Sequence, residues 1–266
     1  MTRTLFTPIA AVLLLSVSGC GGDNQGGQAS PPAPPPAAGE TPAAGADAQA
    51  SGGGTITGTI TFTGARPANA PIDMSEEAVC KEKYTAGAPP RAETVVGNPG
   101  VLANVFVYVK SGLPAGARYT APTTPVVLDQ DGCRYHPHVF GVMVGQMVEI
   151  RNSDPVLHNI KAIATKNRPF NISQPAAGMK TNRTFTAPEV MVALECNVHG
   201  WMNAFAGVRP DPFFAVSGAD GSYGITGLPP GTYTIEAWHE RYGTQTASVT
   251  VTGTESKTAD LTFAAR

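Results

Sequence analysis

The 266-residue sequence predicts an all-β protein, on three observations. Apolar and polar residues alternate with period two in several runs, among them residues 55–62, 104–109 and 232–238. Val, Ile, Thr, Phe and Tyr dominate those runs, and these side chains suit a pleated, half-buried surface. Gly (30) and Pro (24) are abundant, and turn signals separate the runs at Thr63-Gly64, Asp131-Gly132, Ala219-Asp220-Gly221 and Pro229-Pro230-Gly231. Many short strands punctuated in this way imply sandwiches or barrels. The formal charge is −2 and only 14% of residues are charged. No basic stripe exists to neutralise phosphates, so nucleic acid is not an expected partner.

Taken in chain order, the first element is a targeting segment. Arg3 supplies a positive n-region, and residues 5–17 are an apolar stretch too short to span a bilayer easily. It ends in VSGC, residues 17–20, which resembles a bacterial lipobox. That resemblance implies cleavage after residue 19 and lipidation of Cys20; the alternative is an uncleaved anchor or an ordinary secretory signal. Gly21 stands where an Asp would signal inner-membrane retention, so the expectation is a lipid anchor facing the periplasm, with the outer membrane favoured. Residues 21–53 are nearly all Gly, Ala, Pro, Gln and Ser. Such a segment buries too little apolar surface to offset its ordering entropy and reads as a tether, spanning up to roughly 100 Å when extended.

The folded part begins at Gly54. A short helix is expected within 74–83, with Ser75 as its cap ahead of Glu76, Glu77 and Cys80. Near the end, DGSY…I…GLPPGTYTI, within residues 220–235, reads as a hairpin, a strand, a tight Pro-Gly turn and another strand. It resembles the carboxypeptidase regulatory-like, or transthyretin-like, β-sandwich. Residues 209–266 alone are short for a sandwich with its own core. That family's opening strand, G-x-I-x-G-x-I, occurs far upstream as residues 54–60. We therefore expect a split module of residues 54–115 with 209–266, interrupted by residues 116–208; two domains in series is the alternative.

The middle carries the chemistry. Residues 194–205 read LECNVHGWMNAF, placing Cys196, His199 and Met202 three residues apart, with His158-Asn159 upstream. A thiolate, two imidazoles and a thioether form the donor set of a copper electron-transfer site. Cys196 should end a strand, and Gly200 eases the return turn. With the strand pattern of residues 125–160, these features resemble a cupredoxin, and the loop spacing is most similar to that of amicyanin. The resemblance covers roughly residues 120–208. It implies a cupredoxin Greek-key β-sandwich beside the second, small transthyretin-like β-sandwich. It also implies one type 1 copper held by His158, Cys196 and His199, with Met202 as the weak axial ligand and Asn159 tying the two loops together. Taken singly, each of these residues has a duller use, as core, turn or gap-filling side chain.

With Cys20 assigned to lipid and Cys196 to metal, Cys80 and Cys133 remain; in an exported protein they can pair, the alternative being two free thiols. His136 and His138 flank Pro137 and could share a strand face as a second metal site, although a structural role is the plainer reading. His239-Glu240 looks like an acid–base pair without a nucleophile, so an edge-strand role is expected. Trp201 either packs behind the ligands or lies on an apolar docking patch with Pro155 and Val198. The expected function is single-electron transfer rather than catalysis, since four protein donors leave no substrate position. The expected partner is a c-type cytochrome or a quinoprotein dehydrogenase. Rival readings are a glycan- or protein-binding module of the cell envelope, and copper storage or delivery.

Overall fold

The structure is a computed structural model that describes residues 52–68, 70–84 and 97–265. Cys20, the targeting segment and almost all of the tether lie outside the described residues. The rest is all β, apart from one short helix. In chain order, β1 (Gly54–Thr63), α1 (Ala78–Glu82) and β2 (Phe106–Ser111) come first. Nine strands follow: β3 (Val126–Asp131), β4 (Arg134–His136), β5 (Val139–Met143), β6 (Met147–Asn152), β7 (His158–Ile163), β8 (Phe170–Gln174), β9 (Lys180–Thr184), β10 (Glu189–Glu195) and β11 (Asn203–Arg209). The chain closes with β12 (Phe214–Val216), β13 (Ser222–Leu228), β14 (Gly231–His239), β15 (Gly243–Val251), β16 (Ser256–Thr258) and β17 (Leu261–Ala264).

Strand pairing sorts these elements into two sandwiches. Strands β3 to β11 form one, from a sheet of order β4-β3-β6-β9 and a sheet of order β5-β11-β10-β7-β8. Their inward rows, including Leu128, Ile150, Ile160, Val192, Leu194 and Ala204, make a single core. The other sandwich draws strands from both ends of the folded chain. β1 pairs with β13, β16 and β17, while β2 lies between β12 and β14, with β15 outermost. Ile56, Ile60, Val107, Ile235 and Phe263 lie in its core.

The two sandwiches meet back to back, and the sequence pattern of the contacting strands records it. β2 and β5 do not alternate between buried and exposed residues; four consecutive residues of β2 and all of β5 are buried. A strand covered on both faces reads as a continuous apolar run. On β2, Val107 and Val109 enter their own sandwich core, whereas Phe106 and Tyr108 join Val139, Met143 and Phe214 between the sandwiches. Gly141 of β5 and Gly207 of β11 are register partners, and a Cβ on either would collide with the Phe214 or Phe106 ring. Two adjacent glycines thus make the flat patch on which those rings lie. His138 also pairs across this boundary with Glu240 at 2.7 Å, and Arg209 stacks over Tyr108 at 4.6 Å.

The expected helix is shorter than residues 74–83 and is not capped by Ser75. Its N-cap is Glu77, which makes no side-chain cap hydrogen bond. Asp73 accepts the Ser75 N–H in a local turn at 2.9 Å instead, an arrangement that competes with helix at short polar residues. What holds α1 is covalent: Cys80 is disulfide-bonded to Cys133 in the turn joining β3 and β4. That turn has Gly132 and Cys133 at its centre, both with positive φ (62° and 55°), the backbone that matches the twist of a two-residue hairpin.

The disulfide closes a sequence separation of 53 residues and ties the five-residue helix to the β3–β4 turn. Replacing both Cys80 and Cys133 with alanine is expected to cost roughly 2–5 kcal/mol in urea unfolding. Gly207→Val forces Phe106 out of its place and is expected to destabilise by about 1–3 kcal/mol, as overpacking does.

Candidate metal centre

The ligand residues are put together by strand alternation and strand pairing. Inward positions on β10 are Val192 and Leu194, and the same step of two continues to Cys196 just past the strand end. On β7 the buried row is His158, Ile160 and Ala162; on β11 the row Ala204, Ala206 and Val208 extends back to Met202. β7 pairs with β10 through Glu195↔Lys161, and β10 with β11 through Glu195↔Asn203. Three neighbouring strands therefore deliver His158, Cys196 and Met202 to one end of one sheet, each facing the core. His158 is thus the first residue of a strand, not part of a loop.

The loop between Cys196 and Met202 adds His199. It is closed by backbone bonds from Cys196 N–H to the Met202 carbonyl (3.1 Å) and from Met202 N–H to the His199 carbonyl (2.9 Å). The His199 N–H points at the Cys196 sulfur, 3.4 Å away. The Nδ1 atoms of His158 and His199 are 3.0 Å apart, and Cys196 Sγ is 3.9 Å from His199 Nδ1. His158, Cys196 and His199 offer donor atoms all within 4.8 Å of one another, and all three residues are buried. A first-row ion with metal–nitrogen bonds of about 2.0 Å and metal–sulfur bonds of about 2.3 Å holds such donors roughly 3.3–3.8 Å apart. The His158–His199 and Cys196–His199 separations lie within half an ångström of that range, so the residues fit such an ion. Met202 is buried in the same core as Cys196.

The electrostatics favour a thiolate. Burial pushes the Cys196 thiol up, but hydrogen bonding to His158 and His199 outweighs it and brings the thiol down to about 5. Burial likewise disfavours the His158 cation, yet Asp154 and Cys196 beside it raise its affinity for a proton overall. Asn159 joins the two ligand segments: its Oδ1 accepts the Asn197 N–H at 2.7 Å, 3.3 Å from the Cys196 sulfur, and its Nδ2 donates to Asn171 at 2.7 Å. Trp201 donates from Nε1 to the Cys133 carbonyl at 2.9 Å, and its ring lies 5.1 Å from that of His199. It packs behind the ligand, leaving Val198 (47% exposed) and Leu157 (43% exposed), with Pro155, as the apolar surface beside the two loops.

Three residues that the sequence reading did not assign to the site close it from outside. Asp154, fully buried, lies against His158. Lys83 pairs with Asp154, and Glu77 approaches His199 Nε2 at 3.8 Å. The disulfide sulfur of Cys80 is 3.9 Å from the same nitrogen. The usable signal for Asp154 was its position, four residues before His158 in an Asn-Ser-Asp-Pro turn. Nothing local marks Lys83 or Glu77. His136 and His138 do not share a face, which removes the second-site reading: β4 ends at the exposed His136, Pro137 intervenes, and His138 is buried against Glu240. Nor are His239 and Glu240 a working pair, since His239 Nδ1 accepts the Arg241 N–H at 3.1 Å to close a turn.

Comparison with known proteins gives two results. Residues 207–264 match the carboxypeptidase regulatory-like domain. Among solved structures, the chain is similar to a Cu-containing nitrite reductase from Thermus scotoductus SA-01 at 25% identity, over 37% of this chain and 25% of that one, with a TM-score of 0.31. The chain thus spans about a quarter of that reductase. It is similar to a purple cupredoxin from Nitrosopumilus maritimus at 21% identity over 31% of this chain and 98% of that one (TM-score 0.27). A Cu(I) amicyanin mutant aligns at 21% identity over 39% and 98% (TM-score 0.29). None of the curated proteins matches the chain.

Asn159→Ala leaves the Asn197 N–H without its acceptor and separates the two ligand segments. The metal-free protein is expected to lose about 1–3 kcal/mol in urea unfolding, the cost of orphaning a part-buried donor.

Proposed function

We propose that this protein is a type 1 copper electron carrier, tethered to the bacterial cell envelope through a lipid on Cys20 and facing the periplasm. The observation that carries this reading is the buried His158–Cys196–His199 group at one end of a sandwich. Copper held there by His158, Cys196 and His199, with Met202 as a weak axial donor, would supply a one-electron Cu(II)/Cu(I) couple. A soft thiolate with two imidazoles suits copper better than a hard, oxygen-seeking ion.

The chain's own residues supply the rest. Cys196, His158 and Met202 extend rows that are locked in a packed core, so their positions change little with the charge at the site. His199 is only 2% exposed and Cys196 5%, which keeps water from the donors. Asn159 keeps the β7 and β10 ends in register. Four protein donors leave no position for a substrate, which favours a carrier over an enzyme. The apolar surface of Pro155, Leu157 and Val198 is suited to a transient redox partner, for which a c-type cytochrome or a quinoprotein dehydrogenase is the natural class. The carboxypeptidase regulatory-like sandwich, which we read as one module split by the insertion of residues 116–208, serves as the rigid mount.

Loading the full chain with Cu(II) is expected to give intense thiolate-to-copper absorption in the visible and an EPR spectrum with narrow copper hyperfine splitting. Cys196→Ser should abolish both. Retention of both in that variant, or a colourless wild type that binds copper with ordinary hyperfine splitting, overturns the reading.

A further inference from the structure

Asp154 occupies an unusual place. Its side chain is fully buried, and each of its partners can donate to it. Oδ1 accepts the Gly132 N–H at 3.0 Å and pairs with the Lys83 ammonium. Oδ2 accepts the Cys133 N–H at 2.7 Å and lies 2.9 Å from His158 Nε2. The Asp154 N–H is itself held by Asn152 Oδ1 at 2.9 Å, which fixes the turn that aims the carboxylate. An ionised carboxylate only accepts hydrogen bonds. The His158 nitrogen facing it must therefore carry the proton. In the neutral ring that a metal requires, this leaves the lone pair on His158 Nδ1, the atom 3.0 Å from His199 Nδ1 on the side of Cys196.

We propose that Asp154 is a positioning residue for the metal centre: it selects the His158 tautomer that presents Nδ1 and, through its negative charge, makes that imidazole a stronger donor to the higher-charged ion. This rests on the copper reading for its redox consequence, but not for the tautomer. A carboxylate behind a ligand histidine raises the ligand's basicity and commonly changes metal affinity 10- to 100-fold. Stronger donation stabilises Cu(II) more than Cu(I) and so lowers the reduction potential. Lys83 opposes this by neutralising part of the Asp154 charge. It also bonds Asp131 at 3.0 Å and follows α1, the segment held by the Cys80–Cys133 disulfide. The charge behind His158 is thereby set by a residue held 71 positions upstream of Asp154 in a segment that contributes no metal donor.

The experiment measures reduction potentials of the copper-loaded full chain, wild type, Asp154→Asn and Lys83→Met, with histidine 15N spectra of the wild type in metal-free and Cu(I)-loaded forms. Asparagine keeps an acceptor and removes the charge, so Asp154→Asn is expected to weaken Cu(II) relative to Cu(I) about tenfold, a rise of about 59 mV for one electron. Lys83→Met should move the potential the opposite way. Loosening of the site alone would move both variants in the same direction, and that result, or unchanged potentials in both, overturns the redox role. If Asp154→Asn does not fold, the sign for Lys83→Met decides. Recorded at a pH where the ring is neutral, the wild-type spectra should show His158 protonated on Nε2 alone; a neutral ring protonated on Nδ1 instead, in the metal-free chain, overturns the proposal outright. A wild type without a thiolate–copper band sinks the copper reading and with it the redox role, while the metal-free spectrum still decides the tautomer.

Discussion

Everything at the candidate centre depends on the pairing of β7, β10 and β11. Each strand carries an inward row of apolar side chains, and each row ends at the same edge of the sheet with a residue that has a lone pair to offer. A slip of one residue in either pairing would turn a donor out to solvent, because side-chain direction reverses at every position. The register is strongly specified here for an ordinary reason. Ile160, Ala162, Val192, Leu194, Ala204 and Ala206 must be buried together, and burying them excludes every one-residue slip. The hydrophobic core thus sets the positions of the polar atoms. The His199 loop, closed by backbone bonds at both ends, needs only to span the gap that this alignment creates.

Around that core-determined group lies a second layer, built from segments distant in the chain. The β3–β4 turn brings Gly132 and Cys133 with their backbone N–H groups toward Asp154, while the Cys133 carbonyl takes the Trp201 indole. The disulfide brings α1, and with it Glu77, Cys80 and Lys83. These contacts cover His199 Nε2 and hold the carboxylate behind His158. A buried carboxylate with three kinds of donor around it would be costly if any partner were missing, so this layer stands or falls as a unit. Its tie to the sandwich is covalent because a five-residue helix has little surface with which to hold itself in place.

The second sandwich shapes the first through its back rather than its edge. β5 and β11 present Gly141 and Gly207 to Phe106 and Phe214, and His138 reaches Glu240 beside this contact. β11 therefore has two duties: its inner face ends in Met202, and its outer face carries the contact. The β5–β11 side of the sheet holding the donors is packed on both faces, which limits its freedom to flex. The family match begins within this same strand, at residue 207, so the end of β11 lies inside the matched segment.

Much of this was legible in the sequence. Period-two runs and Gly/Pro turns identified an all-β chain, and the spacing of Cys196, His199 and Met202 with His158-Asn159 upstream singled out the residues the structure brings together or buries in one core. Those features are local: strand alternation and turn chemistry are decided within a few residues, and a row that alternates carries its facing with it. Local pattern did mislead at residues 74–83, where acids after a serine resembled a capped helix but Asp73 took the serine N–H. What only tertiary structure decided was the company of the donors. Asp154 meets Cys133 across 21 positions and Cys80 meets His199 across 119, and contacts of that span leave no periodic trace. They exist because two sheets and one disulfide close the chain on itself, and a buried charge keeps whichever donors that closure brings within reach.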